Sequence, residues 1–305
     1  SLTYVDSNAL TIGVVNPTGI TATGLIDIST VSGNLTVSEN ITTSSTANNA
    51  IVLNASSATG AGTSTGGNIL ISNTTAGATP TLTTGSGGRV TLYTGGVSGS
   101  AGLTDLIGTG TGRFRYYSDE TSTNYNTSTA ALSTGMYAIY RERPAATIAA
   151  DSKSITYGDT LTLTGTTSGL VNGDTGTYSL SSPTYSTSNN IKVGAYTIVG
   201  SGPIALGYNV AATNGTLTVG QKAVTIGGFT VSDKAYDGTI AATVSNAGTV
   251  SGKVAGDVVT VASITAAFTN KNAGLQNLII SGGTLSGTDA ANYTSSISGS
   301  TTATI

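Results

Sequence analysis

The first third of this chain carries its apolar residues in very short beats, and that restricts the folds open to it. The beats are ALTIG at 9–13, LIDIS at 25–29, NLTV at 34–37, AIVLN at 50–54, NILIS at 68–72 and RVTLY at 89–93. Each alternates like a strand, and each is too short for an amphipathic helix. Asn, Gly, Ser and Thr fill the gaps, and the beats recur at intervals of roughly ten to twenty residues, as solenoid turns do. A sandwich calls for longer strands joined by hairpin turns. A parallel β-helix calls for short strands, turn residues and small side chains that stack between coils. Composition agrees: with 42 Gly and only 8% charged residues, helix formers are scarce and almost no helix is expected. The sequence therefore predicts an all-β chain whose residues 1–112 form the last coils of a right-handed parallel β-helix. Asn8, Asn34, Asn54 and Asn68 stand beside its strands, where side-chain amides bond to turn backbone.

Residues 113–143, RFRYYSDETSTNYNTSTAALSTGMYAIYRER, break the pattern with five Tyr, a Phe and most of the Arg. A solenoid has to close its open end, where unpaired backbone and an apolar cross-section are exposed. Bulky aromatics suit that task, so this stretch is expected to be the C-terminal cap and linker. A ligand site is the rival reading, because Tyr and Arg favour recognition; its candidates are Tyr116, Tyr117, Tyr125 and Tyr137.

All five Arg lie before Pro144 and all six Lys after it, which marks a domain boundary. Beyond it the strands lengthen and alternate. Two spans, 144–220 and 221–305, are each the size of a small β-sandwich or β-grasp-like domain. Each holds a similar corner: DSKSITYGD at 151–159, with Tyr157, Gly158 and Asp159, and SDKAYDG at 232–238, with Tyr236, Asp237 and Gly238. The Asp caps a turn and the Gly takes positive φ. The Tyr is expected to bury its ring and send its hydroxyl back to the backbone, with the lysine stem lying over the ring. A catalytic reading of the corner needs a partner such as histidine, and the chain has His 0.

The function classes narrow accordingly. A net charge of -3 without a basic stripe argues against nucleic acid. No apolar run reaches membrane-spanning length. With Cys 0 the fold cannot rest on disulfides. The opening SLTYVDSNALTIG reads as internal sequence rather than a secretory leader. Catalysis on a β-helix requires clustered carboxylates, or a basic residue beside bound calcium. Segment 1–112 offers Asp6, Asp27, Glu39 and Asp105, widely spaced and without lysine. No enzyme, cofactor or metal is expected, and no dense acidic loop for calcium is present.

Several motifs carry a family resemblance. Residues 221–305 resemble the YDG repeat of bacterial surface proteins through Tyr236-Asp237-Gly238-Thr239, VAGD at 254–257, NKNAG at 270–274 and GTDAANYT at 287–294. Residues 144–220 resemble the MBG domain through Tyr157-Gly158-Asp159, GLVNGDT at 169–175 and GTLTV at 215–219. Residues 1–143 look like the end of a filamentous-haemagglutinin-type β-helix. The resemblance implies a segment of a large two-partner-secretion adhesin of Gram-negative bacteria, secreted by an outer-membrane partner and held at the cell surface or in a biofilm matrix. It implies no catalytic residues.

The leading expectation is a non-enzymatic stalk that holds a binding region away from the cell. One alternative is a polysaccharide-binding module, in which exposed tyrosines stack on sugar rings. Another is a self-assembling filament whose open coil ends or edge strands pair with further copies of the chain. Lysine–asparagine crosslinks are a further possibility, with Lys234, Lys253 or Lys271 as donors and Asn272 or Asn292 as acceptors.

Overall fold

The strands Leu2–Asp6, Ile26–Thr30 and Ile51–Asn54 stack in parallel, with Leu2 beside Ile26 and Ile26 beside Ile51. Arg89–Thr94, Gly135–Tyr140 and Phe114–Arg115 complete a six-stranded sheet on that face. Leu10–Ile12, Leu35–Val37 and Ile69–Ile71 form a second parallel face, and Ile20–Ala22, Ile41–Thr43 and Leu82–Thr83 a third. Each apolar beat is thus one side of a coil, and equivalent beats lie directly above one another. This is the parallel β-helix, in a computed structural model that describes residues 1–14, 18–122, 125, 128–299 and 301–305.

Alternation explains the core. Ile26, Ile28, Ile51, Leu53, Val90 and Leu92 point inward from the first face and are buried. Leu35, Val37 and Ile69 do so from the second, and Ile41 from the third. Each such side chain contributes roughly 1.5–3 kcal/mol of burial. The corners are held by amides. Asn34 Oδ1 accepts the Asn68 N–H at 2.9 Å, and Asn68 Oδ1 accepts the Gly96 N–H at 2.8 Å. Asn40, not anticipated, accepts from Thr81 in the same way. Asn8 and Asn54 depart from the expectation: the Asn8 amide donates to Ser7, and Asn54 Oδ1 is buried without a partner among the described residues.

The last coil is closed by the aromatic stretch. A short helix, Leu103–Ile107, takes the place of a strand on the second face. Phe114, Tyr116 and Tyr140 lie buried on the coil's apolar cross-section, with Tyr116 and Tyr140 stacked at 5.5 Å. Arg141 is fully buried, its guanidinium donating to the carbonyls of Ala55 at 2.7 Å and Gly67 at 2.6 Å. It thereby satisfies carbonyls of the coil beneath, and burial lowers its pKa.

The chain remains β-rich beyond residue 144. Its contacts define two compact units: Ser1–Ala149 with Gly165–Thr177 and Gly200–Thr213, and Ala150–Thr164 with Tyr178–Val199 and Asn214–Ile305. The 144–220 segment contributes to both. In the first unit Ala145–Ala150 lies between Gly165–Ser168 and Asn209–Thr213. In the second, Lys153–Thr156, Gly215–Gly220, Gly194–Ser201 and Thr177–Leu180 form one sheet. Lys222–Gly227 there lies between Thr249–Ser251 and Tyr293–Ile297, and Leu275–Ser286 lies between Thr260–Phe268 and Thr302–Thr304. The two spans open alike: Ala145 pairs in parallel with Asn209, and Lys222 with Tyr293.

Candidate functional site

Two short sequences, VNGD at 171–174 and VAGD at 254–257, fold into the same turn. The Asp174 N–H donates to Val171 O at 3.0 Å, and the Asp257 N–H donates to Val254 O at 3.2 Å. Gly173 and Gly256 both have positive φ, at 78° and 90°. Each turn carries a carboxylate inward and leaves its valine N–H free to donate to a tyrosine hydroxyl further along the chain. Val171 donates to Tyr208 at 3.1 Å, and Val254 to Tyr293 at 3.0 Å. Each tyrosine follows a single 3-10 turn, Ile204–Leu206 or Ala290–Asn292, that sets its ring against the carboxylate.

A second tyrosine completes each site from an earlier part of the chain. In the first unit Asp174 Oδ2 accepts the hydroxyls of Tyr208 at 2.9 Å and Tyr116 at 2.8 Å. In the second unit Asp257 Oδ2 accepts the hydroxyls of Tyr157, at 2.6 Å, and Tyr293. The rings meet edge to face, with centroids 4.6 Å apart for Tyr116 and Tyr208 and 5.3 Å for Tyr157 and Tyr293. Such pairs add about 0.5–1.5 kcal/mol beyond area burial. The chain thus builds the same buried tyrosine–aspartate–tyrosine clasp twice.

The electrostatics suit a permanent fastening. Burial pushes the Tyr116 and Tyr208 hydroxyls well above their ordinary pKa, with the nearby Asp174 charge adding to it. Tyr157 and Tyr293 are raised by burial and by donating to Asp257. Burial also opposes the Asp257 charge, but the surrounding hydroxyls of Ser188, Tyr157 and Tyr293 outweigh it and its pKa is lowered. At neutral pH the Asp257 carboxylate is ionised while the Tyr157 and Tyr293 phenols keep their protons.

Supporting contacts differ between the clasps. Asn172 Nδ2 donates to the Tyr116 hydroxyl at 3.0 Å while its Oδ1 accepts from Thr104. The Tyr125 hydroxyl donates to the Tyr116 carbonyl at 2.7 Å. In the second clasp, Asp289 accepts the N–H groups of Thr187 and Val258, and Asn292 Oδ1 accepts the N–H of Val193. The GTDAANYT motif therefore fastens the 186–193 loop with two of its side chains, Asp289 and Asn292.

The residues singled out from sequence fall on both sides of this picture. Tyr157 is buried, but its hydroxyl goes to Asp257 rather than to the backbone. Gly158 and Gly238 take positive φ, at 88° and 75°, and Asp159 and Asp237 cap their turns by accepting the N–H of Thr156 and of Thr239. Tyr236 is 64% exposed, contrary to the expected buried ring. Lys234 lies over Phe268, not over Tyr236, and its ammonium pairs with Asp237 at 2.7 Å. Of the proposed sugar-stacking tyrosines, Tyr116, Tyr125 and Tyr137 are buried. Tyr117 is exposed, with the Arg143 guanidinium 4.6 Å from its ring centre. Three of the four are thus packed inside rather than exposed in a ladder. Lys253 donates to the Asp257 carbonyl, Lys234 pairs with Asp237, and Asn292 accepts from the Val193 N–H.

The sequence reading missed Asp174, Tyr208, Asp257, Asp289, Asn292 and Tyr293 as a site. The signal was present: a V-x-G-D turn in each span, followed later by Gly-Tyr-Asn at 207–209 or Asn-Tyr-Thr at 292–294. Among the described residues, no group of three or more Asp and Glu side chains is placed to hold a metal ion, and no helix is long and apolar enough to cross a membrane.

Comparison with known families places these sites. Residues 220–303 match the YDG domain, and residues 146–218 match the MBG domain (YGX type). Both are non-catalytic structural domains typical of secreted or surface proteins, and they occur in extracellular, repeat-type, adhesin-like proteins. No curated protein and no solved structure matches the chain.

Proposed function

We propose that this chain is a non-enzymatic stalk segment of a filamentous-haemagglutinin-type adhesin, which serves attachment at a bacterial cell surface or in a biofilm matrix. The observation that carries the reading is the repeated clasp. A chain that only spaces domains needs no buried polar bond between successive segments, because a flexible linker suffices. Here the cap donates Tyr116 to the 144–220 span, and that span donates Tyr157 to the next. A hydrogen bond contributes a net of about 1 kcal/mol, so each junction resists separation. Two-partner secretion through an outer-membrane partner belongs to the same reading.

The test is genetic. Cells producing the full-length parent protein are compared with cells in which residues 1–305 are deleted in frame, and surface attachment under flow is scored. Loss of attachment with normal export supports the stalk. Unchanged attachment sinks it.

A further inference from the structure

The two clasps share one arrangement. The aspartate and one tyrosine belong to a receiving module, Asp174 with Tyr208 or Asp257 with Tyr293, and the second tyrosine comes from the segment before it. In the second clasp that donor is the corner tyrosine of the MBG domain. Tyr157 follows the strand Lys153–Thr156 and lies beside that domain's closing strand, where its N–H donates to Gly220 O at 2.8 Å.

The YDG domain has a corner of its own in the same place. The Lys234 N–H donates to Thr304 O at 3.0 Å, as the Tyr157 N–H does to Gly220 O, and Tyr236 stands two residues beyond that contact. The turn that carries it is preformed. Asp237 Oδ1 accepts the Lys234 ammonium and both the N–H and the hydroxyl of Thr239. These bonds hold the Asp237 pKa down at about 2. Yet the ring at the tip is 64% exposed, where Tyr157 is fully buried, and Ile240 beside it is 50% exposed. A rigid turn that presents a bare tyrosine and an isoleucine is a binding feature, since aromatic anchors dominate interfaces.

We propose that Tyr236 is a docking tyrosine, and that its partner is a further module of the same kind that presents a V-x-G-D turn with an unoccupied carboxylate and a neighbouring tyrosine. The Tyr236 hydroxyl donates to that carboxylate and its ring packs edge to face on that tyrosine, as Tyr157 does with Asp257 and Tyr293. A second copy of this chain is not the partner, because its Asp174 and Asp257 already hold donors. The inference rests on the modular-fibre reading for the supply of a further module.

The experiment extends the full 305-residue chain with a second copy of residues 221–305 placed after Ile305. In the appended copy Tyr236 is changed to Phe, so that only the inner Tyr236 reports. Nitration of that tyrosine is followed by peptide mass spectrometry. The expected result is nitration slowed at least about tenfold relative to the unextended chain, and restored when the appended copy carries Asp257→Ala. Equal nitration of the two chains overturns the proposal. Should the Ala variant not fold, Tyr236→Phe in the inner module gives the second measurement: it lowers Tm of the extended chain and leaves Tm of the unextended chain unchanged. An equal effect on both overturns the proposal, as does self-association of the unextended chain that Tyr236→Phe abolishes. These readouts use purified protein, so a failure of the attachment reading on cells is recognised separately.

Discussion

Tyr157 and Asp257 lie 100 residues apart in sequence and are joined by a 2.6 Å hydrogen bond buried from solvent. Tyr293 donates to the same oxygen. The bond ties the YGD corner of one domain to the AGD turn of the next, and it gathers two buried hydroxyls of the second unit on a single carboxylate oxygen.

Asp257→Ala removes the acceptor of two buried hydroxyls, and leaving a buried donor unmet costs about 1–3 kcal/mol per group. The expected loss is about 3 kcal/mol in urea unfolding of the second unit. Asp257→Asn should cost less, about 1–2 kcal/mol, because the amide oxygen still accepts. Its NH2 then faces the buried Oδ1 position, which has no partner in the native chain. Equal effects of the two variants would show that packing, not hydrogen bonding, holds the clasp.

The pH dependence has two arms. The Asp257 pKa is lowered in the folded state, so its contribution is present above the unfolded value of about 3.9 and is lost as pH falls through the folded value. Tyr157 and Tyr293 are raised. Their contribution is present below the unfolded value of about 10 and is lost as pH climbs from there through the folded values. Stability is therefore level between about pH 5 and 9 and falls on both sides. Tyrosinate absorbance during an alkaline titration checks the second arm: these phenols should ionise together with unfolding.

Gly207 precedes Tyr208 in the first clasp. Its φ is 107°, and an added Cβ would lie 2.1 Å from the Tyr116 carbonyl oxygen. Gly207→Ala should destabilise the first unit by about 2–4 kcal/mol, since strain and a backbone clash add. Thermal unfolding of this variant, with a Gly228→Ala control, measures it. Gly228 also has positive φ but open space around its Cβ position, so its loss reports backbone strain alone. Matching losses for the two would remove the steric argument.

Arg141 tests the cap. Its guanidinium holds the carbonyls of Ala55 and Gly67, and Arg141→Ala leaves both unmet and opens a cavity. A loss of about 3 kcal/mol is expected. Hydrogen exchange should show it first at the amides of Ile51–Asn54 and Arg89–Thr94. Unchanged protection there would place the stability of the coil elsewhere.

The β-helix was legible because it is local arithmetic. Beats such as LIDIS and AIVLN alternate on their own, and stacking them requires only that each expose one inward face. The change of residue type at 113 was visible in the aromatics, but the sequence did not show that Phe114–Arg115 and Gly135–Tyr140 extend the parallel sheet beyond it. The corner turns at Gly158 and Gly238 followed from the φ preference of a single residue type. None of this reasoning extends to partners far apart in the chain. Whether the Tyr157 hydroxyl meets backbone or Asp257, and whether Tyr116 faces sugar or Asp174, depends on which surfaces the fold brings together. Two nearly identical corners, one buried at Tyr157 and one bare at Tyr236, show the limit. Residue preference and alternation set the strands, the coil and the turns, because those forces act over a few residues. Tertiary structure alone decided which tyrosines are clasped, because a hydrogen bond between residues a hundred positions apart leaves no periodic trace in the chain.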